Sequence, residues 1–202
     1  MLTGKKIVLG VSGGIAAYKM ANVASMLSKL HADIHVVMTE NATHFITPET
    51  FEVLTGNHCY TDTFDRCMEL HVPHIALGTQ ADAILIAPAS ADVVGKIANG
   101  IADDMLTTCV LPATCPVMLA PSMNVHMYEN PIVQDNMKKL ASYGYEIIEA
   151  DEGYLACRDI GKGKLPPEHV LVDYIIRACA MDKDLAGKKV LVTAGATQES
   201  ID

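Results

Sequence analysis

The passage from Lys6-Ile7-Val8-Leu9-Gly10-Val11 through Ser12-Gly13-Gly14 into Ile15 and a helix-period stretch constrains this chain more than any other feature. A near-continuous apolar run that ends in a glycine turn and re-emerges as a helix is the first half of a β-α-β unit, which requires a parallel partner strand. Further apolar runs supply the partners: Ile34 to Met38, Ala83 to Ala87, Val117 to Ala120 and Glu146 to Ile148, each separated by enough chain for a crossover helix. Strands this apolar belong where both faces of a sheet are covered. The first crossover, Ile15 to Leu30, brings Ala16, Met20, Val23, Ala24, Leu27 and Leu30 together on one helical face, as packing on a sheet needs. Ser90 to Leu111 and Ile132 to Tyr143 read as further helices. Gly153 to Pro167, rich in Gly, Lys and Pro and without periodicity, reads as a loop or mobile flap. The expected class is α/β, a flavodoxin-like or Rossmann-like parallel sheet with helices on both faces.

Charge and composition narrow the partners. The 202 residues carry 15 Lys and Arg against 24 Asp and Glu, a net charge of −9, which disfavours a nucleic-acid backbone. Half the residues are hydrophobic and 19% are charged, so the chain buries a core and is not disordered. The longest strongly apolar run, Ala83 to Ala89, is far below the roughly 18 to 20 residues of a membrane helix. Ser12-Gly13-Gly14 and Lys19 interrupt any signal-peptide core. Six cysteines without C-x-x-C spacing read as cytosolic thiols, mostly small buried hydrophobes, and the expected location is cytoplasmic. Near the C-terminus, Gly187-Lys188-Lys189-Val190-Leu191-Val192-Thr193-Ala194-Gly195 echoes Gly4-Lys5-Lys6-Ile7-Val8-Leu9-Gly10-Val11-Ser12. A lone strand and turn cannot bury its faces. The expected division is therefore a first domain over residues 1–181, a linker over 182–187 and the truncated start of a second domain over 188–202.

The glycine turn after the first strand aims backbone N–H groups and a helix dipole at an anion, for which a phosphate is the obvious guest. The pattern is not G-x-G-x-x-G, and Met38-Thr39 stands where a ribose-binding acid would end the second strand. NAD is disfavoured, and FMN, with its single terminal phosphate, fits better; the competing reading is a tight βα turn without a ligand. Pro88-Ala89-Ser90-Ala91-Asp92 and Pro121-Ser122-Met123-Asn124 follow the third and fourth runs, at the strand ends where open α/β sheets bind ligands. Asn124 offers an amide donor and a carbonyl acceptor for gripping a carboxylate or amide, or serves as an ordinary helix N-cap. His71-Val72-Pro73-His74 resembles half a metal site, but no Cys or carboxylate cluster completes it, so no metal is expected. One of these imidazoles is a candidate acid or base, against the ordinary packing or surface role of a histidine. In the flap, Cys157 stands among Arg158, Lys162 and Lys164, surroundings that favour both a thiolate and an anionic substrate; a harmless exposed loop cysteine is the alternative.

Ser12-Gly13-Gly14-Ile15-Ala16-Ala17-Tyr18-Lys19, His74-Ile75, Pro88 to Asp92, Pro121-Ser122-Met123-Asn124-Val125-His126-Met127 and Leu155-Ala156-Cys157, in this order, resemble the homo-oligomeric flavin-containing Cys decarboxylases. Within that family the chain resembles the decarboxylase part of bifunctional phosphopantothenoylcysteine decarboxylase/phosphopantothenate–cysteine ligases, and residues 190–202 resemble the opening of the ligase part. The resemblance implies FMN bound by Gly13, Gly14, Ile15, Thr39, Ser90 and Ser122, with Asp92 and Thr107 or Thr108 nearby. It implies His74 as the base, Asn124 as the residue holding the substrate carboxylate and amide region, and Cys157 as the acid that protonates the last intermediate. Arg158 stands where the family usually has glycine and Lys164 where an arginine is common; with Lys162 they would serve the anionic substrate. The implied reaction oxidises 4′-phosphopantothenoylcysteine to a thioaldehyde, releases carbon dioxide and reduces the enethiol to 4′-phosphopantetheine. The implied assembly is trimers with FMN between subunits, built into a dodecamer, with no ligase activity from these residues. The competing readings are a flavin prenyltransferase-like enzyme and a non-catalytic flavin-binding regulatory protein of the same fold.

Overall fold

The computed structural model describes residues 1–64, 72–154, 159–180, 187–193 and 195. Strands β1 (Lys6–Val11), β2 (Asp33–Met38), β3 (Cys59–Tyr60), β4 (Ala83–Ala89), β5 (Val117–Pro121) and β6 (Glu146–Ile147) pair in the order β3-β2-β1-β4-β5-β6. Every pairing in this sheet is parallel. The order is that of the doubly wound Rossmann-type sheet, with its topological switch point between β1 and β4. β1 and β4 lie at the centre, and β4 is buried along its whole length, which is why its sequence runs apolar without alternation.

A residue period of two divides that apolar content between two cores. Ile7, Leu9, Ala83 and Leu85 face one side, where Val23 and Leu27 of α1 (Met20–Lys29), Phe51 of α3 (Pro48–Thr55) and Leu171 of α9 (Glu168–Cys179) cover them. Val8, Ile84 and Ile86 face the other, under Leu77 of α4 (Pro73–Gln80), Val93 of α5 (Ala91–Ala98), Leu106 of α6 (Met105–Val110) and Leu140 of α8 (Pro131–Ser142). Helices on both faces are thus as the sequence predicts. Burying each such Leu or Ile contributes about 1.5–3 kcal/mol. Two short helices, α2 (Glu40–Thr43) and α7 (Val125–Tyr128), follow β2 and β5 at the carboxyl edge of the sheet.

The elements differ from expectation in four places. The first crossover opens as a 3-10 turn, Ile15–Lys19, before α1 begins. The stretch read as one helix from Ser90 to Leu111 is two: Gly100 has φ of +68°, and a capping box between Asp104 and Thr107 restarts the chain as α6. The expected loop at Gly153 to Pro167 contains an antiparallel hairpin, β7 (Asp151–Tyr154) with β8 (Ile160–Lys164). Its side chains are mostly exposed, so it leaves no apolar alternation to read. Residues 187–193 have no regular structure and Leu191 is 90% exposed; among the described residues no strand pairs with this segment, and a strand needs such a partner to satisfy its backbone. Among the described residues no helix is long and apolar enough to cross a membrane.

Candidate active site

The loops leaving β1, β4 and β5 meet at the switch point around a cavity of about 280 Å³. Gly13, Gly14 and Ile15 form one wall, Ser90 and Ala91 a second, and Ser122, Met123, Asn124 and Met127 a third, with Gly163 of β8 as the roof. Six of the expected residues, Gly13, Gly14, Ile15, Ser90, Ser122 and Asn124, are therefore brought together.

Ser12, a residue the sequence reading passes over, holds the first two walls in place. Its hydroxyl, in a fully buried side chain, donates to the Pro88 carbonyl at 2.7 Å and accepts from the Ser90 backbone N–H at 2.8 Å. The Ser122 N–H donates to the Ala89 carbonyl at 3.1 Å and ties the third wall to the second. Ser90 also caps α5, accepting from the Val93 N–H at 3.3 Å. Gly13 is required by packing as well as by the cavity, because a Cβ there would stand 2.5 Å from Cβ of Asn41. Thr39 lies beside this turn, its N–H donating to the Val11 carbonyl at 3.0 Å. Although it precedes α2, its hydroxyl does not cap that helix and is buried without a hydrogen-bond partner.

Asn124 is both an N-cap and a cavity residue. Its Oδ1 accepts from the His126 N–H at 2.9 Å, which fixes the carboxamide so that Nδ2 donates to Asp159 Oδ2 at 2.9 Å. The flap reaches this position by close backbone contact. The Met123 N–H donates to the Gly163 carbonyl at 3.0 Å. A Cβ on Gly161 would stand 2.6 Å from Val125, and one on Gly163 would stand 2.4 Å from the Met123 carbonyl oxygen.

Other expected residues lie elsewhere. Asp92 is exposed and pairs with Lys96 at 3.3 Å, away from the cavity wall. Lys96 also meets Asp103 and Asp104 at 3.1 and 3.5 Å; burial works against its charge, but the bonds to Asp103 and Asp92 outweigh it and raise its pKa. The Thr107 hydroxyl is used within its capping box, and that of Thr108 donates to the Ala102 carbonyl at 3.3 Å. Lys162 lines a separate groove with Tyr128 and Lys138 and pairs with Glu149 at 3.0 Å, a bond that raises its pKa. In a strand, alternate side chains take opposite sides, so Gly163 roofs the cavity while Lys162 and the exposed Lys164 leave it. His74 stands in the first turn of α4, and its Nδ1 is buried without a hydrogen-bond partner. Because α4 leads directly into β4, that turn lies toward the carboxyl end of the sheet, but His74 is not part of the cavity wall. Cys157 and Arg158 lie outside the described residues. Among the described residues no group of three metal-ligating side chains exists.

The chain is similar to known proteins over this whole unit. It is 47% identical over 204 residues to the coenzyme A biosynthesis bifunctional protein CoaBC of Bacillus subtilis, covering all of this chain and 50% of that protein. It is 41% identical to the protein of the same name in Haemophilus influenzae, with the same coverage. It therefore spans about half the length of these curated relatives. A solved PPC decarboxylase, a Cys-to-Ser mutant complexed with pantothenoylaminoethenethiol, superposes with a TM-score of 0.76 at 29% identity, over 85% of this chain and 96% of that one. The FMN-dependent cysteine decarboxylase SpaF gives 0.71 at 34% identity, over 87% and 99%. The family model described as Flavoprotein matches residues 1–180, so that the Rossmann-type sheet, its switch-point cavity and the flap that roofs it belong to a member of the Flavoprotein family.

Proposed function

We propose that this chain is an FMN-dependent decarboxylase converting 4′-phosphopantothenoylcysteine to 4′-phosphopantetheine in coenzyme A biosynthesis. The observation that carries the reading is the convergence of the Gly13-Gly14 turn, Ser90, Ser122 and Asn124 on one cavity roofed by the flap. The names of the bifunctional relatives and of the PPC decarboxylase neighbour support it. FMN fits the residues present: the turn leaves backbone N–H groups for a phosphate, and the buried, unpartnered Thr39 hydroxyl beside it is a donor in want of an acceptor. No acidic side chain ends β2 to read a second ribose. Gly13, Gly14, Thr39, Ser90 and Ser122 would hold the cofactor. Bound FMN supplies the two-electron sink without which a cysteine-derived carboxylate does not lose carbon dioxide.

The chain's own groups supply orientation and proton handling. Asn124, its carboxamide fixed by the N-cap bond, presents N–H to the substrate carboxylate. His74 serves as the base, and Cys157, on the flap, as the late proton donor; both roles rest on the sequence resemblance. We further read the assembly as trimers joined into a dodecamer. The 58% exposure of Ile15, a cavity residue, supports coverage by a partner copy. The reading carries with it a cytoplasmic location, and residues 1–181 as the decarboxylase unit ahead of a linker and the start of a ligase domain. Anaerobic incubation of the purified, FMN-loaded protein with phosphopantothenoylcysteine should give 4′-phosphopantetheine by mass spectrometry. His74→Asn should keep the flavin and lose carbon dioxide release. A prenylated flavin product, or flavin binding without turnover, would refute the proposal.

A further inference from the structure

Tyr128, the last residue of α7, is bonded in two directions. Its N–H donates to the Asn124 carbonyl at 2.9 Å, and its own carbonyl accepts from Nε2 of Gln134 on α8. The first bond closes the single turn of α7, whereas the second satisfies one of the carbonyls that a helix end leaves without a partner inside the helix. Gln134 precedes Met137 by one turn on the same face of α8, and Met137 and Leu140 are buried in the core that Val8 and Ile84 face. The donor is thus carried by a helix fixed to the sheet.

A helix of four residues has little stability of its own, because nucleation costs more than one turn of hydrogen bonds returns. What holds its ends therefore decides where α7 points. At its start, Oδ1 of Asn124 accepts from the His126 N–H at 2.9 Å, so the carboxamide turns with the helix. At its end, the Tyr128 side chain is buried and Gln134 holds the carbonyl. A hydrogen-bonded chain runs from the Gln134 amide through Tyr128 to Asn124, and the bonds of such a chain reinforce one another.

Resting on the reading of Asn124 as the carboxylate holder, we propose that Gln134 is a positioning residue for the decarboxylation: its amide N–H fixes the end of α7 and so aims the Asn124 carboxamide at the substrate carboxylate. Gln134 is outside the cavity wall and half-buried, lining a separate groove with Glu129, Lys138, Glu149 and Lys162. Water entering that groove would replace the donor at the Tyr128 carbonyl but not its direction. Removing the amide therefore costs aim more than stability, and a small error of aim at a substrate-positioning group is costly to rate.

The test uses the FMN-loaded protein and two ligands without the thiol that the reaction oxidises: phosphopantothenoylserine, which bears the carboxylate, and phosphopantothenoylethanolamine, which lacks it. Calorimetry gives the ratio of their affinities. Gln134→Met keeps the length of the side chain and removes the donor, and Gln134→Glu puts a charged acceptor in its place at neutral pH. Both should lower the preference for the carboxylate ligand roughly fivefold or more, the worth of about one hydrogen bond. Affinity for the ethanolamine ligand and for FMN should stay unchanged, while kcat/KM for phosphopantothenoylcysteine falls. Gln134→Lys, which has a donor and no acceptor, should keep most of the parent's preference. In an Asn124→Ala background none of these substitutions should move it. Equal loss for both ligands would mean that Gln134 only supports the fold, and an unchanged preference in Gln134→Met would mean that α7 is aimed without it. A Gln134→Lys variant as impaired as Gln134→Met would mean that the donor is not what matters; each of the three overturns the proposal. If Asn124→Ala alone leaves the carboxylate preference of the parent intact, the assignment of Asn124 fails first, and the proposal falls with it.

Discussion

Ser12→Ala tests whether the cavity walls are held by one hydroxyl. The Ser12 side chain is fully buried, and its oxygen makes two bonds, to the Pro88 carbonyl and from the Ser90 N–H. Removing it leaves the Pro88 carbonyl with the Ser12 backbone N–H at 3.3 Å, so the acceptor is only weakened. The Ser90 N–H loses its acceptor outright. One neutral hydrogen bond contributes about 1 kcal/mol, and stranding a buried donor costs about 1–3 kcal/mol. The Ser90 end is half-buried, so water relieves part of that cost, and about 2 kcal/mol is the expected total. For a unit of this size that lowers Tm by roughly 4–8 °C. Because Ser12 joins the ends of β1 and β4, FMN affinity should weaken by roughly tenfold as both walls shift. Thermal and denaturant unfolding of the flavin-free protein, with flavin titration by fluorescence quenching, measures both effects. A Tm within about 1 °C of the parent and an unchanged flavin Kd would show that β1 and β4 are fixed by their strand pairing alone.

Gly163→Ala places a Cβ 2.4 Å from a backbone oxygen at a residue with φ of +142°. The flap should lift from α7, raising protease sensitivity near β8 and lowering kcat/KM by roughly tenfold or more while the core Tm falls little. Wild-type proteolysis and kinetics in that variant would refute the close contact. Burial pushes the Cys59 and Cys109 thiols to about 12, with Glu52 adding to the first and Cys115 to the second. Both should stay protonated and escape iodoacetamide at pH 8 until the protein is unfolded, as peptide mass mapping would show.

The centre of this fold is legible in sequence because the centre is where one force dominates. β1 and β4 are buried on both faces, so their apolar runs mark them to within a residue or two of the observed ends. The edges follow other rules. β3 is a two-residue strand at the sheet margin, too short to show a period. The break between α5 and α6 depends on the left-handed Gly100 and a capping box, signals that a hydrophobic pattern does not weigh. The hairpin of the flap is held by backbone pairing and by glycine contacts with α7, so its evidence lies in what its residues lack. Six cavity residues could be named from strand ends and glycine turns, because an open α/β sheet puts its ligand there. Ser12 could have been added on the same grounds, as a small polar residue at a strand end. The ion pairs of Asp92 with Lys96 and of Lys162 with Glu149 were not legible, because they depend on the direction of each side chain.

The polar atoms around the switch point fall into two groups, and the division bears on what the site is for. Those of Ser12, Ser90, Thr107 and the Oδ1 of Asn124 are taken by the fold itself, in loop ties and helix caps. Among the described residues, three buried side-chain atoms have no partner: His35 Nδ1, Thr39 Oγ1 and His74 Nδ1. Each costs about 1–3 kcal/mol if it stays so, which a marginally stable fold does not keep without return. His35 sits within β2, and its Nε2 already meets Asp33 at 3.2 Å. Thr39 and His74 belong to the chain leaving β2 and the helix leading into β4, at the carboxyl end of the sheet where the cavity opens. An unpaired donor beside the Gly13-Gly14 turn and an unpaired imidazole nitrogen at the same end are costs that, on the proposed function, a bound phosphate and a proton-exchanging substrate would relieve. Ligand binding should therefore stabilise the protein by more than contact area alone supplies.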